Sequence, residues 1–394
     1  MSSELHIGLL TPSFAGITGL DSGIGTHFRH LADGLTAAGQ RVSVIIVTDK
    51  PSLPASHFPY EVKIVTVGQP AAARLVGRFS WQLHQWLTLR AMIHASTHLV
   101  AGKTADVWET TSTGSLVRDF LRRATRPPVA VRVSTTAGQL RTTNAGSIHW
   151  VNRRIETWET ATIRHADRVI THSATHRAFI AKQFGLSADH IPIIPHGIPV
   201  PAEIQRTPSA DRCRILFVGR LEHRKGIDLL VGALPVLLRA MPCAEVTLVG
   251  ADRDHYWENQ WHQKVSPGLR ERVHFAGVVD AAELFAHYQA ADLFVAPSRY
   301  ESFGLIFVEA MAHSLPVVAL RTPGAIDLIE DGITGVLAPP EDVAGLAAAL
   351  VQVATDPDLR HRLGSAARRT VEERYSVAAL ATASTAFYRE MLVP

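Results

Sequence analysis

Short runs rich in Val and Ile recur along the chain, separated by segments of helical period, and this alternation restricts the fold to an α/β architecture built on parallel sheets. A strand buried on both faces reads as a near-continuous apolar run. LHIGLL at 5–10, RVSVIIV at 41–47, VKIVTV at 62–67, VAVRVS at 129–134, DRVITHS at 167–173 and IPIIP at 191–195 have that character. A second series follows: RILFVGRL at 214–221, AEVTLVGA at 244–251, RVHFAGVV at 272–279, DLFVAPS at 292–298 and PVVAL at 316–320. Between the runs, Phe28, Leu31 and Leu35 fall on one stripe of a helix over 26–38 that Gly39 closes.

With 394 residues the chain exceeds the size at which one hydrophobic core stops growing, so two domains with a ligand cleft between them are expected. Pro195, Pro199, Pro201 and Pro208, with Pro192 just before them, punctuate the passage from the first series to the second and mark an interdomain linker. We expect one doubly wound, Rossmann-like domain over 1–198 and another over 199–375. Tyr375 and Ser376 interrupt a helical tail, and 376–394 is expected to be a helix that packs back on the first domain.

Composition narrows the function classes. Hydrophobic residues at 46% and charged residues at 19% describe a globular protein able to bury a sizeable core. Lys and Arg number 39 against 36 acidic residues, and a net charge of +3 is too slight for a nucleic-acid footprint. Cys213 and Cys243 show no metal spacing and make no disulfide framework, which suits a cytoplasmic location. The N-terminus MSSELHIGLL lacks a leader pattern, and no stretch approaches the roughly 20 apolar residues of a membrane span.

Three constellations carry chemistry. The first, GRLEHRKG at 219–226, joins a strand to a helix over 227–240 and offers Arg220 and Lys225 where a phosphate would meet a helix N-terminus. Taken alone, a solvated basic turn explains that fragment equally well. The second, PSRYESFGLIFVE at 297–309, is another strand-to-helix junction, with Ser302 as the expected N-cap and Gly304 permitting close backbone approach to an anion. Glu301 in the loop and Glu309 two turns along the helix each offer an acceptor-only carboxylate to a pair of sugar hydroxyls. Glu309 has Phe307, Val308, Ala310 and Met311 around it, and a Glu in such company needs a partner. The third is the glycine-rich loop GITGLDSGIGT at 16–26, where Phe28 replaces the last glycine of a dinucleotide fingerprint and so disfavours a nicotinamide site.

Together these residues resemble the retaining glycosyltransferases of family 4, also called glycosyltransferase group 1, which have the GT-B fold. GRLEHRKG matches the family's diphosphate-binding turn, and ESFGLIFVE its two glutamates separated by seven residues. The glycine loop and ADRVITHSATHRAFIAKQFGLSADHIPIIPHGI, which leads into the linker, extend the likeness over nearly the whole chain. The resemblance implies that two Rossmann-like domains face a central cleft and that a UDP- or GDP-hexose is bound by the C-terminal domain. Arg220 and Lys225 would serve the diphosphate with the amides of Phe303, Gly304 and Leu305, Glu301 the donor sugar, Glu309 the ribose, and backbone near Val278 the base. Gly23 and Gly25 would lie near the phosphates, and the N-terminal domain would take a hydroxyl acceptor. Transfer would retain anomeric configuration, with no metal and no cofactor beyond the nucleotide-sugar cosubstrate. Where many members have a His after the strand equivalent to VAVRVS, this chain has Ser134, Thr135 and Thr136, so Ser134 and Thr135 are the acceptor-side candidates. His196 stands where the family has Asn and reads as a turn variation.

Other signals weigh less. Asp252-Arg253-Asp254 has the carboxylate spacing of a metal site but reads as a polar loop, and the His94/His98 and His172/His176 pairs lack a nearby carboxylate pattern. The stretch 74–103 mixes Trp81 and Trp86 with Arg74, Arg78, Arg90 and Lys103, a composition that could lie on an anionic membrane surface, although packing on its own domain is favoured. An epimerase or phosphorylase on the same scaffold, or a silent sugar-nucleotide binder, stays open as an alternative.

Overall fold

The computed structural model describes residues 4–18, 23–49, 58–67, 80–102, 104–139, 150–203 and 212–393, and the chain divides into two compact units. The first comprises Met1–Gly197 with Val377–Pro394, and the second Ile198–Ser376. The middle of the glycine loop, Gly19 to Ser22, lies outside the described residues, as do Arg74, Arg78, Lys103 and the linker residue Pro208.

In the first unit β1 (His6–Thr11), β2 (Arg41–Thr48), β3 (Glu61–Thr66), β4 (Val107–Thr111), β5 (Val129–Arg132) and β6 (Arg168–Ile170) form one parallel sheet in the order β3-β2-β1-β4-β5-β6. In the second, β7 (Cys213–Val218), β8 (Ala244–Val249), β9 (Val273–Gly277), β10 (Leu293–Ala296), β11 (Val317–Leu320) and β12 (Gly335–Ala338) repeat the pattern as β12-β11-β10-β7-β8-β9. Each order reverses once, between β1 and β4 and between β7 and β10. In doubly wound sheets ligands bind outside the carboxyl ends at such a reversal.

The central strands of both sheets are buried on two faces, which is why they read as apolar runs, whereas β3 and β9 at the edges are partly exposed. In β7, Cys213, Ile215 and Phe217 join one core layer, beneath the helices Ile227–Ala240 and Val343–Thr355, whereas Leu216 and Val218 join the other, with Phe307, Met311 and Val371. Side chains alternate across a strand, so each core layer takes every second residue. The last helix, Val377–Met391, belongs to the first unit, where Leu380, Ala381, Phe387 and Tyr388 pack with Phe28, Leu31 and Leu35.

Two strands arise where none was expected, and one expected strand is absent. β4 (VWETT) hides polar residues in the sheet centre, and β12 (GVLA) is four residues long. IPIIP makes only a single bridge, Thr171 with Ile193, because Pro192 and Pro195 have no amide to donate to a ladder. The helix Trp81–Ala101 buries Met92, Ile93 and Val100, and Trp86 packs near Trp158 with ring centroids 6.2 Å apart. No helix among the described residues is long and apolar enough to cross a membrane.

Candidate active site at the carboxyl ends of β7 and β10

Two loops define the site of the second unit, one after β7 (219–226) and one after β10 (297–304). Gly226 makes their approach possible. Its φ is +69°, and a Cβ there would stand 1.9 Å from the carbonyl oxygen of Pro297, so only glycine fits. Arg299 then laces the loops together: its guanidinium donates to both oxygens of Asp228, at 2.7 and 2.8 Å, and to both of Glu341, each at 2.7 Å. Its backbone amide also donates to the carbonyl of Arg224 at 2.9 Å. Bidentate pairs of this kind fix orientation as well as energy, and here they hold both strand-to-helix junctions in one arrangement.

Within that frame Lys225 Nζ lies 2.5 Å from Glu301 Oε1, which also accepts from Ser298 Oγ at 2.8 Å. Arg224 Nη1 stands 4.0 Å from the other oxygen of Glu301 and donates to the carbonyl of Tyr300 at 3.1 Å. The Lys225 and Glu301 side chains are only 12% and 11% exposed, so removing either strands a charge in a poorly hydrated place. Arg220 differs: it is largely exposed and pairs with Glu222 at 3.2 Å.

Glu309 does have a partner. Tyr288, from the helix Ala281–Ala290, donates its hydroxyl to Glu309 Oε2 at 2.9 Å. Burial lifts the Glu309 carboxyl above its ordinary range, and the Tyr288 hydrogen bond and the Lys225 charge oppose that rise. Lys225 therefore acts electrostatically on both glutamates of the motif.

The helix Leu305–Ala312 starts from Gly304, at φ +94°, and no side chain caps it. Ser302 is not the N-cap expected from its type. It lies two residues too early and bonds the Tyr300 side chain instead. Phe303 is buried, and the first-turn amides of a helix that no side chain caps form a ready seat for an anion. At the end of β9, a recess of about 240 Å³ is walled by Leu221, Ala251, Phe275 and Val278, and Val278 is 79% exposed.

The remaining candidates belong to the first unit. Gly23 and Gly25 open the helix Gly23–Ala37, and Ser134 and Thr135 are half-buried just past β5. Next to them is a carboxylate with no sequence signal: Glu159, on the helix Trp150–His165, accepts from Ser112 Oγ and from the Ala137 amide, both at 2.9 Å. Below lies a buried network. Glu109 Oε1 accepts from Arg132 Nε at 2.7 Å and Oε2 from the Tyr388 hydroxyl at 2.5 Å, while His27 Nδ1 stands 2.7 Å from His196 Nδ1. His196 is thus a core residue rather than an incidental turn variant. Burial, reinforced by neighbouring positive groups, holds His27, His172 and His196 well below the usual imidazole range.

The structure brings Lys225, Glu301, Glu309, Gly304 and the Arg220 turn together in the second unit. Gly23, Gly25, Ser134 and Thr135 lie in the first. Sequence reasoning passed over Ser298, Tyr288, Arg224 and Arg299. Only the placement of Ser298, Arg224 and Arg299 in the two quoted loops hinted at them, and Tyr288 reaches Glu309 from a separate helix.

Comparison with known proteins bears on the family and the fold. Residues 22–197 match the family model described as glycosyl transferase 4-like domain, and residues 212–356 the model for glycosyl transferases group 1. The chain is similar to a glycogen synthase of Mycobacterium tuberculosis, 31% identical over 387 residues that cover 93% of this chain and 90% of that protein. Its fold is similar to that of a sucrose-phosphate synthase from Thermosynechococcus elongatus, with TM-score 0.77, 24% identity and coverage of 98% and 99% of the two chains. Anabaena HepE, solved in complex with UDP and glucose, superposes with TM-score 0.69 at 20% identity, covering 98% of this chain and all of that one. The two parallel sheets, their reversal points and the match along both halves lead to one assignment: the chain belongs to the group 1 glycosyl transferases and is a glycosyltransferase with the GT-B fold.

Proposed function

We propose that the enzyme transfers a hexose from a nucleoside-diphosphate donor, a UDP- or GDP-hexose, to a hydroxyl acceptor with retention of anomeric configuration and without a metal ion. The observation that carries this reading is the Lys225–Glu301–Ser298 cluster, set at the β7/β10 reversal beside a helix start that no side chain caps. Departure of a nucleoside diphosphate develops negative charge on the leaving oxygens. Lys225, Arg220 and the amides of Phe303, Gly304 and Leu305 stand within reach of that charge and stabilise it, which is what a metal would otherwise supply. Glu301 accepts from hydroxyls of the donor sugar, Glu309 from those of the ribose, and backbone near Val278 meets the base.

When the diphosphate binds, Lys225 turns from Glu301 towards it, and the freed Glu301 oxygen takes a sugar hydroxyl in exchange. Anabaena HepE, solved with UDP and glucose and with UDP-glucose, supports the nucleotide-sugar part of this reading. The first unit serves the acceptor, with Ser134 and Thr135 at the end of β5 and Gly23 and Gly25 at its first helix.

The test is turnover of UDP-glucose and GDP-mannose with a panel of sugar and polyol acceptors in the presence of EDTA. A glycoside with the donor's anomeric configuration is expected, and Lys225→Ala should lower kcat about 100- to 1000-fold, as loss of one preorganised donor does. Conversion of the sugar nucleotide with no acceptor present would favour an epimerase. Full activity of Lys225→Ala would overturn the site.

A further inference from the structure

We propose that the recess beyond β9 is built for guanine, so that the donor is a GDP-sugar, and that Glu258 selects the base. This rests on the nucleotide-sugar reading given above.

The recess sits where a base must reach. It shares Leu221 with the basic turn after β7 and ends at Val278 after β9. β7 and β9 are two strand spacings apart, about 10 Å, a gap that the ribose of a nucleotide can bridge when the diphosphate lies over β7. Leu221, Leu248 and Phe275 give apolar walls suited to the faces of a flat ring, and the polar groups stand on the side formed by the loop after β8.

Three polar side chains line it: Asp252, His255 and Glu258. Asp252 is already occupied, since its carboxylate accepts the amides of Trp257 at 3.0 Å and Glu258 at 3.0 Å. Glu258 is half-buried; its Oε2 lies 2.9 Å from His255 Nδ1, and among the described residues its Oε1 has no partner. The backbone that presents this pair is unusual. Asp254 and His255 are successive non-glycine residues with φ of +58° and +51°. Left-handed backbone at such residues is disfavoured and persists where the surroundings impose it, often at ligand clamps.

A carboxylate accepts hydrogen bonds and donates none. Guanine offers a ring N–H and an amino group side by side on one edge, which the two carboxylate oxygens can take together, Oε1 freely and Oε2 through the second lone pair that its His255 contact leaves. Uracil offers one N–H flanked by two carbonyls, and adenine an amino group beside a ring-nitrogen lone pair, so each sets an acceptor against the carboxylate. Good bidentate recognition of a base edge separates it from the wrong base by about ten- to a hundredfold.

Isothermal titration of the full chain with GDP, UDP and ADP tests this, alongside Glu258→Gln, whose amide nitrogen would oppose the guanine N–H. We expect wild type to bind GDP at least tenfold more tightly than UDP or ADP, and Glu258→Gln to lose that preference while its UDP affinity stays within about twofold. Tighter binding of UDP or ADP by wild type would overturn the guanine assignment and leave the nucleotide-sugar reading standing. A GDP preference unchanged in Glu258→Gln would remove Glu258 from the role. Binding of none of the three would overturn the nucleotide-sugar reading itself.

Discussion

Glu159 gives the first unit a pH dependence that a single substitution should remove. Its side chain is buried, and burial lifts the carboxyl from the usual 4.5 to about 7, against the pull of the Ala137 amide and the Ser112 hydroxyl and with a smaller push from Glu156. The sign follows from linkage. Between pH 4.5 and 7 the unfolded chain has released this proton while the native state keeps it, so stability falls as pH rises through that window and levels off above it. At 1.36 kcal/mol per pH unit the wild type forfeits about 3 kcal/mol across the window. Glu159→Gln keeps both contacts: its amide nitrogen donates to Ser112 Oγ, whose hydroxyl turns around, and its oxygen accepts from Ala137 N–H. Urea unfolding of both proteins at pH 4, 5, 6, 7 and 8 reads the effect as a difference curve. Wild type should lose about 3 kcal/mol relative to Glu159→Gln between pH 4 and 8, with most of the change between 5 and 7. Parallel curves would refute the argument and show that Glu159 is hydrated in solution.

Two further substitutions probe packing of the loops and the core. Gly226→Ala places a methyl on the Pro297 carbonyl at a left-handed φ, which alone costs about 1 kcal/mol or more. Urea unfolding should show at least that loss, and titration should show weakened nucleotide binding as the two loops separate. Tyr388→Phe removes the donor to Glu109 Oε2 in a fully buried network, so the first unit should lose about 1–3 kcal/mol by urea unfolding, with nucleotide affinity unchanged.

The sequence made the central strands legible because both of their faces are covered, so runs such as VIIV in β2 and ILFV in β7 are apolar at every position. β4 escaped notice for the complementary reason. Glu109, Thr110 and Thr111 look like surface residues, yet Arg132 and Tyr388, 23 and 279 positions away, satisfy the buried Glu109, while Thr110 Oγ1 donates to the Leu10 carbonyl and Thr111 Oγ1 accepts the Thr113 amide. The opposite error occurred at IPIIP, where apolar character outweighed two prolines. At the candidate site, residue types and their place at strand ends were readable, since Lys225 and Glu301 each fall in a loop that opens a helix. Their contact was not, because 76 residues separate them and the approach depends on Gly226 and on the Arg299 ion pairs. Ser302 shows the limit of residue type as a guide: it is a good capping residue, but the chain turns through Gly304 before the helix begins.

A crystal structure of the full chain with a bound nucleoside diphosphate tests the central claim most directly. The account predicts the diphosphate over the carboxyl ends of β7 and β10, with Lys225 Nζ drawn from Glu301 to a phosphate oxygen and the first-turn amides of the helix Leu305–Ala312 in hydrogen-bonding distance. A nucleotide seated elsewhere, with the Lys225–Glu301 pair intact, would contradict it.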